Sequence, residues 1–584
     1  MPNSFRGRDR QNRPLRNNGV AGAGKPRHRP RDGRGGFRAP TGCSLSRYRQ
    51  PHRLRTTRIM TPEGLRAALG SPSGRWPERD WAMFDIREQG EAHAGHIPTA
   101  TFLPRRLIEI RIRELVPDCA TRIVIYDSGT HIALGTDNRA ELACEALRSC
   151  GYPNVTVLEG GFSAWAASGG PISKGSNVPS KAFGEKVLAE DQVPTIKPED
   201  LEVALHAELA PVVCDVRTEG EFRHHHLPGA VSTPGFDLVG HLPEFEKRGP
   251  FLVINCAGRT RSIIATATAR KLGCSDARGL ENGTMGWQIA GLSVTKDNSV
   301  APPPVKHAAI VRQADDLADA VGVEHASITD LAEAIETNAS PYIFDLRSLT
   351  EFTEGHIPGA IAVPGGQLIQ RTDDFVAVPA HRIVIIDNGC GQAPLAGYWL
   401  KRMGFPRVSR LVQGHPGWAQ AGLPLQSGRR AEFADTAQHD PRIVGRQSEE
   451  MILSNLEESH CILDVRTSRE FAAAHIAGAR WAPRGWLEHA ANPLLGHRTP
   501  VLVARDKRQA LLAGAQLIEL GFPRVEFVAD GMAGWRAVDG PVASGLDMAT
   551  PYAPDLVEPP YAKGTDEMKA YIEWEIALHH SIDQ

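Results

Sequence analysis

The stretch Leu252-Val253-Ile254-Asn255-Cys256-Ala257-Gly258-Arg259-Thr260-Arg261-Ser262 decides how this chain is read. Three aliphatic residues and an asparagine lead into a cysteine, and a glycine and two arginines follow at once. A short apolar run that ends in such a turn marks a buried strand giving way to a loop. The framework recurs without gaps at Ile123-Val124-Ile125-Tyr126-Asp127, Ile383-Val384-Ile385-Ile386-Asp387 and Leu502-Val503-Ala504-Arg505-Asp506. One copy keeps a thiol where three carry a carboxylate, a pattern of one reactive unit among three degenerate ones.

Working outward, Cys214-Asp215-Val216-Arg217 is echoed by Phe84-Asp85-Ile86-Arg87, Phe344-Asp345-Leu346-Arg347 and Leu463-Asp464-Val465-Arg466. Successive aspartates lie 130, 130 and 119 residues apart, so the repeats are whole domains; solenoid repeats run about 20–50 residues. Each Asp-x-Arg is followed by an acidic position and a histidine turn: His96-Ile97-Pro98-Thr99-Ala100, His226-Leu227-Pro228-Gly229-Ala230, His356-Ile357-Pro358-Gly359-Ala360 and His475-Ile476-Ala477-Gly478-Ala479. The turns predict short strands ending near Pro104, Pro234, Pro364 and Pro483. Helical spacing follows the Cys/Asp loop at Ile263–Leu272 and Arg139–Leu147. Each unit closes on a glycine turn leading to Trp165, Trp287, Trp418 or Trp535. Strands alternating with helices predict an α/β fold with a parallel sheet covered on both faces. In such sheets ligands bind at the carboxyl ends of strands, where the Cys/Asp loop would lie.

At 584 residues the chain divides into a basic leader over 1–58, repeat units over 59–172, 193–292, 325–425 and 442–540, and a tail over 541–584. By composition Pro171–Pro194, Gly291–Glu324 and Leu423–Pro441 read as linkers, the second with a helix from Ile310 to Val321. The tail offers a helix from Asp566 to His579 that would dock on a neighbouring domain. The leader sets sixteen basic residues against Asp9 and Asp32, a net +14, so the remainder carries −16. With no apolar periodicity it is expected to be disordered. It resembles an organellar transit peptide, but Met60-Thr61-Pro62-Glu63-Gly64-Leu65 already matches Ile196-Lys197-Pro198-Glu199-Asp200-Leu201, which favours upstream sequence read from a wrongly assigned start. Its aromatics are sparse (Phe5, Phe37, Tyr48), so no nucleic-acid partner is expected. No apolar run approaches the ~18–20 residues that span a bilayer, so no membrane partner is expected either. Nine cysteines without CxxC pairs read as reduced thiols in a cytoplasmic compartment, with Cys214 and Cys461 as buried hydrophobes.

Taken together, Asp-x-Arg, Glu-Phe, His-x-Pro-Gly-Ala, the strand-borne cysteine loop and the Gly/Trp turn resemble the rhodanese (sulfurtransferase) family from about residue 59 to 540. The resemblance implies four tandem rhodanese-like domains, each a parallel five-stranded sheet flanked by helices. It also implies a persulfide-forming cysteine, Cys256, in the second alone. The chemistry of the residues agrees. A sulfur carrier needs a thiolate, and backbone N–H groups at a helix start stabilise negative charge on sulfur. Such surroundings can lower a thiol pKa from about 8.5 to roughly 3.5–7.5. Ala257, Gly258, Arg259, Thr260, Arg261 and Ser262 form the expected substrate loop: Gly258 permits a tight turn, Arg259 and Arg261 offer guanidinium groups to an anionic donor, and Thr260 and Ser262 add hydroxyls. Single-domain relatives usually place glycine third after the cysteine, whereas here Gly258 is second and Arg259 third, which leaves donor preference open.

Asp127, Asp387 and Asp506 cannot carry sulfane sulfur, but a carboxylate can accept the loop's N–H bonds and cap the next helix. Cys390, three residues past Asp387, sits too far from the strand end to serve as a nucleophile. Asp215 and Arg217 recur in units lacking the cysteine and read as a structural ion pair. His224-His225-His226 resembles a metal cluster but lacks further ligands, so no metal or cofactor is expected. The expected function is transfer of sulfane sulfur from a small anionic donor, such as thiosulfate or mercaptopyruvate, through a Cys256 persulfide. The acceptor would be cyanide or a thiol, such as glutathione or a thioredoxin-like protein. A related-fold phosphatase needs Cys-x5-Arg, whereas Arg261 gives Cys-x4-Arg and Ser262 stands at the next position. The alternative is a binding scaffold or sulfur-relay adaptor in which the Asp units dominate. One reactive unit between degenerate neighbours implies that units one and three shield its loop.

Overall fold

Each Asp-x-Arg motif ends a buried strand, and its charges close that strand's end. Arg217 donates from Nε and Nη2 to Asp215 at 2.9 and 2.7 Å, and Nη2 also reaches the His225 carbonyl at 2.6 Å. Arg87, Arg347 and Arg466 do the same with Asp85, Asp345 and Asp464 and with the carbonyls of Gly95, Gly355 and Ala474. The arginine thus ties the strand to the histidine turn, which satisfies a charge pair no water reaches. In that turn His226 stacks on Phe222 at 3.8 Å, and its Nδ1 donates to the Phe222 carbonyl. The Asp–Arg ion pair forms in all four units, the histidine stack in units two, three and four.

The computed structural model describes residues 57–71, 75–129, 131–132, 135–296, 304–337, 339–428, 440–453, 459–548 and 555–581. The basic leader lies outside the described residues except for its last two, and Arg58 already opens the strand Arg58–Met60 of unit one. All described residues belong to one unit spanning Gly42–Gln584.

Four five-stranded parallel sheets follow one order. In unit two, Thr195–Ile196, Ala277–Leu280, Leu252–Asn255, Val212–Asp215 and Val231–Ser232 lie side by side. Ile254 pairs with Cys214 on one side and Gly279 on the other, so the cysteine strand is central and fully buried. Cys256 follows directly at its carboxyl end. The loop then enters the helix Thr260–Lys271; its counterpart in unit one is Arg139–Ser149. The short strands predicted after the histidine turns are Thr101–Phe102, Val231–Ser232, Ile361–Ala362 and Arg480–Trp481.

Two helices outside the repeats matter for the site. Pro171–Pro194 reads as a linker, yet Val178–Glu190 is a thirteen-residue helix with proline in its first turn, a position where the missing N–H costs nothing. The tail helix, Thr565–Ala577, docks on unit two rather than on unit four, which it follows in sequence. Units two and three share one core, in which Phe183, Phe236, Ile264, Leu368, Trp399 and Leu400 are buried together. Units one and four are joined by Arg105–Glu488 and Arg484–Glu109. Among the described residues no helix is long and apolar enough to cross a membrane.

Candidate active site

The strand end at Asn255 is fixed before the loop begins. Its side-chain amide donates to Asp215 at 3.1 Å and to the Thr284 hydroxyl at 3.0 Å. Thr284 in turn donates from N–H and Oγ to the Cys256 carbonyl, at 2.8 and 3.1 Å, while the Met285 N–H reaches the Ala257 carbonyl at 3.0 Å. This explains the terminal glycine turn. Gly283 has φ +57°, and a Cβ there would stand 2.3 Å from the Cys256 carbonyl oxygen, so only glycine lets the turn press on the loop. Asn255 and Thr284 carried no role in the sequence reading; Tyr126, Ile386 and Arg505 hold the position of Asn255 in the other units.

Cys256 is 2% exposed, and its Sγ lies 3.3 Å from the Ser262 hydroxyl, to which it donates. The loop gathers the residues named from sequence, but both arginines are already paired. Arg261 meets Glu221 through two parallel bonds of 2.8 and 2.7 Å. Arg259 meets Glu185 of the helix Val178–Glu190 at 2.7 Å twice, and Asn282 at 2.8 Å. Glu221 is the glutamate of the Glu-Phe motif and closes a capping box with Thr218. Its counterparts also reach their loops: Glu91 binds Arg139, Glu351 binds Asn388 and Glu470 binds Arg505. Arg261 keeps one guanidinium N–H, at Nε, with no acceptor among the described residues. It borders a narrow crevice lined by Val216, Phe236 and Ile264 of unit two and by Gly366 and Ile369 of unit three.

Burial pushes the Cys256 thiol up from its usual pKa, with Arg261 and the Ser262 hydroxyl pulling against it and Glu575 adding to the rise. This is opposite to the direction expected from a helix start flanked by arginines. The physical reason is first that the buried sulfur has lost its water, a loss that Arg261, itself paired with Glu221, does not make good.

Gly258 also owes its place to something other than turn geometry. Its backbone lies outside the left-handed region that Gly129 (φ +69°) and Gly389 (φ +71°) occupy at the matching position. A Cβ on Gly258 would lie 2.8 Å from Met285 Cε, 3.4 Å from Glu575 Oε2 and 3.6 Å from Tyr571 Cε1, so the glycine admits the tail helix. Thr260 donates to Glu575 through its hydroxyl at 2.7 Å and through its N–H at a long 3.4 Å.

In units one and three the buried carboxylate fills the loop, whereas in unit four it is exposed and only caps the helix. Asp127 accepts from the N–H groups of Gly129 and Ala140, both at 2.9 Å. Asp387 accepts from Gly389 and Ala393 at 2.8 and 3.0 Å, and Asp506 caps its helix through Gln509 at 2.8 Å. Cys390 Sγ lies 3.9 Å from Asp387 Oδ2, and burial beside that carboxylate pushes it up to about 12. Among the described residues no group of three His, Cys, Asp or Glu side chains could hold a metal ion. Trp287 is buried and donates from Nε1 to the Ser293 carbonyl at 2.9 Å, a packing role its three counterparts repeat.

Comparison with known proteins agrees with this architecture. The family model of the rhodanese-like domain matches residues 71–168, 197–290, 327–421 and 448–538. A thiosulfate sulfurtransferase from Pseudomonas aeruginosa, known from its crystal structure, superposes with a TM-score of 0.80 at 30% identity, covering 90% of this chain and 98% of that one. A sulfurtransferase from Allochromatium vinosum is 40% identical over 94 residues, 16% of this chain and 78% of its own length. The 3-mercaptopyruvate sulfurtransferase of Escherichia coli is 27% identical over 183 residues, 26% of this chain and 63% of its own length.

Proposed function

Because the chain belongs to the rhodanese-like family of sulfurtransferases, with four copies of its domain, we propose that it carries sulfane sulfur on Cys256. The observation that carries this reading is the strand-end position itself: of four equivalent sites, three hold an aspartate that accepts backbone N–H bonds from its loop or from the first turn of the next helix, and one holds a thiol. In the first half-reaction the Cys256 thiolate attacks the outer sulfur of a donor such as thiosulfate. The Sγ–S bond forms as the donor's S–S bond breaks, and sulfite leaves with the electron pair. In the second, an acceptor thiolate or cyanide attacks the terminal sulfur and Cys256 departs as thiolate. Ser262 Oγ is placed to hydrogen-bond the sulfur, and Arg261, with its free Nε–H, supplies positive field to the anionic persulfide. Arg259 acts from its Glu185-bound position as a support for the loop. Ala257 and Gly258 offer backbone rather than side chain to a donor. The likeness to a thiosulfate and a 3-mercaptopyruvate sulfurtransferase supports small anionic donors, and glutathione or a thioredoxin-like protein suits the acceptor role.

The test is intact-protein mass spectrometry after incubation with thiosulfate or mercaptopyruvate. Wild type is expected to gain one sulfur that thiol treatment removes, and Cys256→Ser to gain none. Sulfur retained in Cys256→Ser, or absent from wild type with both donors and with glutathione persulfide, would sink the reading in favour of a binding scaffold.

A further inference from the structure

The tail helix Thr565–Ala577 returns from beyond unit four to lie on the Cys256 loop, 319 residues after the cysteine at the level of Glu575. Met568 and Ile572 are buried against Met285, one turn from the loop, with Tyr571 packed beside them. Glu575 is 2% exposed, unusual for a carboxylate. One oxygen takes the Thr260 hydroxyl; the other lies over Gly258 and takes no hydrogen bond from the loop, the Tyr571 hydroxyl of the same helix being the donor group that faces this carboxylate. Buried carboxylate oxygens of that kind are costly, and they persist where a polar or charged setting offsets part of the loss. Here the setting is a loop built for anions. Arg259 and Arg261 lie on it, and Lys181, whose ammonium stands 4.7 Å over Trp574 and 5.2 Å over Tyr571, faces the same carboxylate.

The other three units supply the parallel. In units one and three the loop receives a buried carboxylate from within, through Asp127 and Asp387; in unit four Asp506 is exposed and caps the helix. A thiol cannot play that part, and in unit two a carboxylate arrives from the tail instead. Arg259 and Arg261 are matched by Glu185 and Glu221, and Lys181 is faced by Glu575 and, further off, by Asp373 and Asp374, so the site carries no excess of positive charge. A second anion entering it would meet cations already paired with carboxylates, with the Arg261 Nε–H as the donor left over.

We propose that Glu575 is an internal occupant of the donor's anion site and thereby sets donor access and preference in unit two. The inference rests on the sulfur-carrier reading of Cys256. An anionic donor binds by displacing the Glu575 carboxylate, which regains water while Thr260, Lys181 and the loop turn to the donor. Its cost to a donor grows with donor charge, so thiosulfate, a dianion, is disfavoured more than mercaptopyruvate, a monoanion.

The experiment compares full-length wild type, Glu575→Gln and Glu575→Asp by sulfur transfer to cyanide, and by alkylation of Cys256 with iodoacetate and with neutral iodoacetamide. Glu575→Gln keeps size and packing while removing the charge, and kcat/KM for thiosulfate is expected to rise about tenfold, mainly through KM. The rise for mercaptopyruvate should be smaller, and the iodoacetate-to-iodoacetamide rate ratio should climb several-fold. Glu575→Asp, which withdraws the carboxylate by one methylene but keeps the charge, should fall between the two. An unchanged or lower kcat/KM for thiosulfate in Glu575→Gln, with an unchanged alkylation ratio, would overturn the proposal. If no form transfers sulfur, the sulfur-carrier reading fails, and the alkylation ratio alone still decides whether Glu575 holds the anion site.

Discussion

At the scale of single residues, the Glu221–Arg261 pair shows how the same side chains serve the fold and the chemistry. Burial by itself would raise the Glu221 carboxyl; the Arg261 guanidinium, with the Thr218 hydroxyl and N–H, holds it down at about 2. A carboxylate held below its usual range contributes stability above about pH 4.5 and loses it as pH falls toward about 2. Glu221→Gln is therefore expected to be less stable than wild type by about 2 kcal/mol at pH 7, with the gap closing between about pH 4.5 and 2. Denaturant unfolding at a series of pH values measures this; a gap constant with pH would refute the assignment. The carboxylate was legible as part of a recurring Glu-Phe, because a capping box is a local pattern. Its bond to an arginine forty residues later was not, since nothing in either segment states how the loop folds back. Gly258 carries a related lesson: glycine in a loop suggested a special backbone, whereas the structure shows it making room for Met285, Tyr571 and Glu575.

At the scale of elements, the strands and loop helices could be read because their signals are local and repeated four times. The helix Val178–Glu190 could not, because Pro171, Gly175, Pro179 and Pro194 gave the segment a linker's composition. Pro179 in fact sits in its first turn, where proline is favoured, and that was the signal available. This helix delivers Glu185 to Arg259 and lays Gly184 against Thr260, where a Cβ would stand 2.9 Å from the threonine methyl and 3.2 Å from its Cα. Gly184→Val should push the two helices apart, costing about 1–3 kcal/mol and raising KM for the donor as the loop loses its support. Unfolding curves and donor kinetics check both parts; a variant as stable as wild type would show that the helix contact is slack.

At the scale of the molecule, chain order and packing order differ. Units two and three share a core, while units one and four meet through Arg105–Glu488 and Arg484–Glu109. The repeated motifs could not reveal this: Arg105 and Arg484 follow the matching prolines Pro104 and Pro483, and Glu109 and Glu488 lie four residues on, but a recurring position does not state which copy it meets. Trp399 of unit three is fully buried, and its Nε1 donates to Thr268 on the loop helix of unit two at 2.9 Å. Trp399→Ala is expected to cost about 3–5 kcal/mol. It should lower the melting of both units together, which differential scanning calorimetry would display as one shifted transition. Two separate transitions, one of them unmoved, would mean that the shared core does not couple them.

The placement of the tail helix carries a consequence in time. At roughly 5–20 residues per second, translation needs roughly 15–60 s to pass from Cys256 to Glu575, which lies 319 residues further on. Once units two and three have both emerged and closed their shared core, and until the tail follows, the nascent chain presents its strand-end thiol, two of its counter-charges in Glu185 and Glu221, and no tail carboxylate. The growing polypeptide thus holds its sulfur nucleophile in a form that the finished protein does not.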